Sequence, residues 1–147
     1  MVSPELLKRF PFFSAFNEAE LVLIAMIADQ EDVEQGMVLF EEGQPAATLC
    51  QLQEGSVELY YTAADKDQTG SSKEFSVGEI NPGEIFAISS LIEPYVLNAG
   101  ARASQNSKIV KINAEALRAL FENDCLLGFK TMHQITKALM ERLTYTR

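Results

Sequence analysis

The sequence predicts a mainly β domain, a small barrel or double-stranded roll with flanking helices at each end. Two observations carry that expectation. From Glu31 to Asn113, short apolar runs alternate with glycine-bearing turns, the texture of many short strands. On either side, apolar residues recur at helical spacing instead. No repeat and no linker-like stretch divides the chain, so residues 1–147 read as a single domain. Its parts are a helical opening over 1–30, a β-roll over 31–113 and C-terminal helices over 114–147.

Ser3 is placed to cap a short helix starting at Pro4, because proline suits the first helical position. Pro11 breaks that helix, and Phe12, Phe13 and Phe16 are expected to anchor the opening to the core. Asn17 caps a helix over Glu18–Ala28, in which Leu21, Ile24, Ala25 and Ala28 recur at helical spacing. Met37 to Phe40 is a short apolar run between Gly36 and Gly43. Thr48–Gln53 and Val57–Thr62 flank Glu54-Gly55, the pattern of a hairpin. Ala63–Lys73 reads as an exposed polar loop, Phe75–Ile80 as a strand, and Asn81 to Glu84 as a tight turn. Strands return over Asn98–Ala103 and Lys108–Asn113. Asn113 caps a helix over Ala114–Glu122, and a longer helix runs from Cys125 to Thr144. Along it Cys125, Phe129, Met132, Thr136, Leu139 and Leu143 alternate in steps of four and three. That is an a/d seam suited to the strands or to a second copy of the helix.

The chain has 147 residues, 47% of them apolar and 22% charged, an ordinary globular composition long enough to bury a core. It lacks the run of about eighteen apolar residues that a membrane helix needs. No apolar stretch follows a basic start, so a secretory signal is not expected and a cytoplasmic location is. The formal net charge of −9 and the scattered Lys and Arg argue against nucleic-acid binding by this chain alone. Cys50 and Cys125 lie far apart outside any CxxC pair, and the single His133 has no second ligand nearby. No metal, cofactor or Cys/His nucleophile site is expected, and both cysteines read as reduced.

The segment Pro82–Ala103, PGEIFAISSLIEPYVLNAGARA, reads as a strand, a short helical turn and a returning strand. With its surroundings it resembles the cyclic-nucleotide-binding domains. FFSAFNEAELVLIA is similar to that family's helical opening. EQGMVLFEEGQPAATLCQLQEGSVELY matches the spacing of its glycines, here Gly36, Gly43 and Gly55, and PGEIF looks like its entry into the phosphate-binding cassette. The resemblance covers nearly the whole chain. It implies a β-roll of the cupin-like double-stranded jelly-roll type, with N-terminal helices and a long C-terminal helix. That last helix has the place of the dimerisation helix of the catabolite-activator branch.

The cassette departs from the family pattern. The family continues with a Gly-Glu pair, then Ala-Leu, and later Arg-x-Ala-Thr. On this chain the Gly-Glu pair falls on Ala87 and Ile88, Ala-Leu on Ser90 and Leu91, and the arginine on Leu97. The resemblance implies that the glutamate would meet a ribose hydroxyl and the arginine the cyclic phosphate. Neither Leu97 nor Asn98 can imitate a charge-assisted Arg–phosphate pair. Arg102 is no simple substitute, because strand alternation sets Leu97, Ala99 and Ala101 on one face and Asn98, Gly100 and Arg102 on the other. The candidate pocket is therefore Ala87, Ile88, Ser89, Ser90, Leu97, Asn98 and Ala99. A short helix near Ala87 would offer backbone N–H groups there, with hydroxyls from Ser89 and Ser90.

Three functions remain in view. The first is a non-enzymatic regulatory or sensor module that does not take cyclic AMP or cyclic GMP in the usual way. It would act through an output partner, or as the sensor part of a longer regulator, since the sequence after the long helix holds no helix-turn-helix. A homodimer through Phe129, Met132, Thr136, Leu139 and Leu143 is expected in either case. The second is a purely structural dimerisation or interaction scaffold whose pocket is filled by Ile88 and Leu97. The third, a cupin-like enzyme, needs a cluster of histidines that one His133 does not supply.

Overall fold

The computed structural model describes residues 1–64 and 72–145. Among them are eight strands in two four-stranded antiparallel sheets, with helices before and after. Helices α1 (Pro4–Lys8) and α2 (Glu18–Met26) flank a 3-10 turn over Pro11–Phe13. The roll is built from β1 (Ala28–Val33), β2 (Val38–Phe40), β3 (Thr48–Glu54), β4 (Val57–Ala64), β5 (Ser72–Ile80) and β6 (Ile85–Phe86). A second 3-10 turn over Ile88–Leu91 leads to β7 (Gly100–Ala103) and β8 (Ser107–Asn113). Helices α3 (Ala114–Asn123) and α4 (Cys125–Tyr145) complete it. The mainly β roll with flanking helices is thus the observed fold. The expected loop over Ala63–Lys73 falls largely on residues 65–71, outside the described residues; at its ends Ala63 and Lys73 are paired strand residues.

Local chemistry sets the helix starts. Ser3 Oγ accepts from Leu6 N at 3.3 Å. Asn17 Oδ1 accepts from Glu20 N while Glu20 Oε1 accepts from Asn17 N, both at 2.9 Å, a reciprocal capping box. Asn113 Oδ1 accepts from Ala116 N at 2.9 Å. The opening is shorter than the helical spacing predicts, for α2 ends at Met26 and Ala28–Val33 is a strand on β8. Only Ala28 and Val33, the ends of this polar strand, are buried, so it carries no alternation to read.

The expected hairpin about Glu54-Gly55 does not form. Strand order is β1-β8-β3-β6 in one sheet and β2-β7-β4-β5 in the other, so the turn carries the chain between sheets. A hairpin would lay both apolar runs in one sheet. Splitting them sets Cys50, Leu52 and Ile109 against Val57, Ala101 and Ala103 in the roll's interior. The opposite face of β3 and β8, with Leu49, Val110 and Ile112, packs against Leu7, Phe13, Leu21, Ile24, Leu117, Leu127 and Ile135 of the helices.

Gly55 makes that crossing at φ +98, where an added Cβ would lie 2.6 Å from Asn106 O and 2.8 Å from Ser107 Cα. Gly43 has a similar φ of +89 with nothing within 4 Å. Urea unfolding should therefore separate the two. Gly55→Ala is expected to cost about 3 kcal/mol or more and Gly43→Ala only about 1 kcal/mol, because the first adds a backbone clash to the left-handed strain. Equal losses would mean that the crossing is not tightly packed.

Candidate ligand-binding site

The turn entering the cassette is stitched to β3. Gly83 N donates to Leu52 O at 2.7 Å, Leu52 N to Glu84 O at 3.0 Å, and Gln51 Nε2 to Gly83 O at 3.2 Å. Strand β6 continues the attachment, with Phe86 opposite Cys50. The chain then turns sharply at Ala87, which is left-handed at φ 62, ψ 40. Ser90 N donates to Ala87 O at 3.1 Å as the 3-10 turn forms. From α3, Arg118 donates to Ser90 O and lies 3.9 Å over the Tyr95 ring, holding the cassette against the helices. The return is tied to the β2–β3 connection by Ala46 N to Tyr95 O at 2.8 Å and Leu97 N to Gln44 O at 2.9 Å.

Between this cassette and α4 lies a cavity of about 660 Å³, within the range of small-molecule sites. Ile88 and Leu97 are both among its lining residues. Ala87, Ser89, Asn98 and Ala99 line it as well, so six of the seven candidate positions come together. Ser90 does not. It is fully buried beside the cassette, and its Oγ has no hydrogen-bond partner among the described residues. The left-handed step at Ala87 sets which serine faces the cavity. Strand parity also fails for the three residues Leu97, Asn98 and Ala99, which all line the cavity because β7 begins only at Gly100.

Phe40, Leu59 and Phe86 add apolar surface from the roll, with Phe40 and Phe86 stacked 6.2 Å apart. Leu139 and Arg142 enter from α4. Arg142 donates to the carbonyl of Ile85 on β6. Burial pushes its pKa below the ordinary arginine value, with nearby Glu84 opposing that shift. Neither helical spacing nor the cassette pattern points to Arg142, since it stands far along the chain on a helix read only as a seam.

Arg102 lies where alternation placed it, on the outer face of its sheet. It stands 4.4 Å over the Tyr60 ring, with Glu74 Oε2 at 3.0 Å and Glu58 Oε1 at 3.3 Å. Its hydrogen bond to Glu74 raises its pKa, and Glu58 adds to this. Cys50 is buried, and burial pushes its thiol up to about 11, which disfavours the thiolate form. No group of three or more His, Cys, Asp and Glu able to hold a metal occurs among the described residues. No helix among them is long and apolar enough to cross a membrane.

Helix α4 has two faces. Leu127, Thr131 and Ile135 are buried, Lys130 pairs with Glu20 at 2.7 Å, and Gln134 Nε2 donates to Phe12 O at 2.9 Å. Met132 is partly buried and packs against this core, one of the two placements to which the seam was suited. The outward stripe is instead Leu126, Phe129, Met140 and Leu143, the last three 63–66% exposed, with Thr136 and half-exposed Leu139 beside it.

A left-handed alanine is strained by about 1–2 kcal/mol relative to glycine. Ala87→Gly should therefore raise stability by about 1 kcal/mol in denaturant unfolding. A loss would mean that Ala87 makes compensating contacts.

Comparison with known proteins agrees with this geometry. The sequence profile of the cyclic nucleotide-binding domain family matches residues 30–124. A candidate cyclic nucleotide-binding protein from Geobacter metallireducens is 36% identical in sequence, and its crystal structure superposes with a TM-score of 0.84 over 97% of this chain and 99% of that one. The Thermus thermophilus catabolite activator protein shares the fold at 24% identity and a TM-score of 0.69, over 92% of this chain and 59% of its own. A candidate potassium channel protein from Rhodopseudomonas palustris is 23% identical over 124 residues, and the present chain spans 28% of its length. The chain belongs to the cyclic nucleotide-binding domain family.

Proposed function

We propose that this domain is a non-enzymatic sensor whose cavity takes a small molecule other than cyclic AMP or cyclic GMP, and that occupancy is passed on through α4. The observation that carries this reading is an open cavity of about 660 Å³ whose cassette walls present Leu97 and Ile88 where the family has arginine and glutamate. A nucleotide phosphate seated against Leu97 would be a buried charge without its cation. That costs on the order of 3–5 kcal/mol, or two to four decades in affinity. The cavity's other wall is α4, so a bound molecule touches the cassette and the helix together, and its contacts bias how α4 packs.

The exposed stripe Leu126, Phe129, Met140 and Leu143 supports a homodimer through α4, because large apolar side chains in heptad-like steps favour a partner helix over water. The same stripe also favours a second reading, in which the roll serves only to hold a dimer together. The two readings differ in whether the cavity has a ligand.

Calorimetry with cyclic AMP and cyclic GMP should give no binding tighter than about 1 mM, the affinity left when a micromolar ligand loses its buried cation. Micromolar binding of either nucleotide would contradict the reading. In sedimentation velocity, the unmodified protein should run as a dimer, and Phe129→Glu combined with Met140→Glu as a folded monomer. A strictly monomeric unmodified protein would remove α4 as an interface.

A further inference from the structure

On the outward side of α4, Leu126, Phe129, His133, Thr136, Met140 and Leu143 follow one another in steps of three and four, and all are exposed. That is an unbroken heptad seam. His133, the only histidine of the chain, stands near its middle. Building on the homodimer reading above, we propose that a second copy of the chain lies parallel and in register on this row, and that protonation of His133 parts the two copies.

The flanks of the row choose the occupant and its direction. Lys130 and Lys137 run along one flank, and Cys125, Met132 and Leu139 along the other. In a parallel pair each flank meets the opposite flank of the other helix, so the lysine stems of one copy lie over the apolar row of the second. In an antiparallel pair like flanks meet, and Lys130 falls opposite Lys137 of the second copy, a like-charge contact. A parallel pair in register avoids that contact and sets His133 against its own counterpart.

Phe129 stacks on the His133 ring with centroids 5.8 Å apart, which holds the imidazole on the seam. Lys130 lies three residues before it on α4 and Lys137 four after it. From α2, Glu20 comes near, but its carboxylate pairs with Lys130 at 2.7 Å. Among the described residues, no carboxylate forms an ion pair with His133. The second copy adds its own His133 and Lys137. Burial between two helices and cationic neighbours both disfavour an imidazolium, so the pair holds fewer protons than the separated copies. The dimer is therefore tightest above the ordinary histidine range and loosens as pH falls through it.

Sedimentation equilibrium of the full chain at about pH 7.5 and about pH 5.8 spans the range in which histidine ordinarily changes charge. The dissociation constant should rise at least about tenfold at the lower pH, within the roughly hundredfold per pH unit that uptake of two protons allows. His133→Asn and His133→Leu, each checked for its fold by circular dichroism, should lose this response, and the leucine variant should pair more tightly at both pH values. Direction is read by cross-linking: Leu126→Cys in a Cys125→Ser background should form a disulfide-linked dimer, because only parallel pairing sets that end of the seam against itself. A dimer that resists this cross-link overturns the parallel register. An equal dissociation constant at both pH values, or a pH response that survives in His133→Leu, overturns the role of His133 and leaves the α4 dimer. A strictly monomeric unmodified chain at both pH values overturns the homodimer reading and this inference with it.

Discussion

The sheet β1-β8-β3-β6 must be covered on both faces, and the rest of the molecule is arranged around that requirement. One face of β3 and β8 closes the roll through Cys50, Leu52 and Ile109, and the other receives the helices through Leu49, Val110 and Ile112. Burying a large aliphatic side chain contributes about 1.5–3 kcal/mol, so losing the helices would expose a large share of the core. The partner sheet has no such obligation, and its outer face carries Arg102, Glu58 and Glu74. The first half of α4 is consequently fixed by Leu127 and Ile135. Its last turns run past the covered sheet and form a wall of the cavity.

This division separates what holds the cassette in place from what its walls present to the cavity. The cassette entry depends on β3 through Gln51, Gly83 and Glu84, and the cassette's far side on α3 through Arg118. None of these contacts needs a ligand charge. On the proposed reading, Leu97 and Ile88 stand where the resemblance implies an arginine and a glutamate, so the walls keep their attachments and differ in what they face.

Features set by neighbouring residues were legible in the sequence, and those set by distant pairing were not. Ser3, Asn17 and Asn113 cap helices through atoms three residues away, so their roles follow from local pattern. The turn at Gly55 was read as a turn, but its hairpin was wrong because β3 and β4 find their partners in β8 and β7. Six cavity positions fell within one recognisable cassette. Ser90 was misplaced because the backbone angle at Ala87 decides which serine turns inward. Arg142 escaped notice because only the packing of α4 on the roll brings it to Ile85.

On the proposed reading, Ile88 and Leu97 separate this cavity from a cyclic-nucleotide site. A side-by-side titration of cyclic AMP into the unmodified chain and into the Ile88→Glu, Leu97→Arg double variant tests it most directly, with a spectrum of each protein confirming its fold. The unmodified chain should stay silent while the double variant gains binding by at least about a hundredfold, the scale of a restored buried charge pair. Tight binding by the unmodified chain, or silence from a folded double variant, would contradict it.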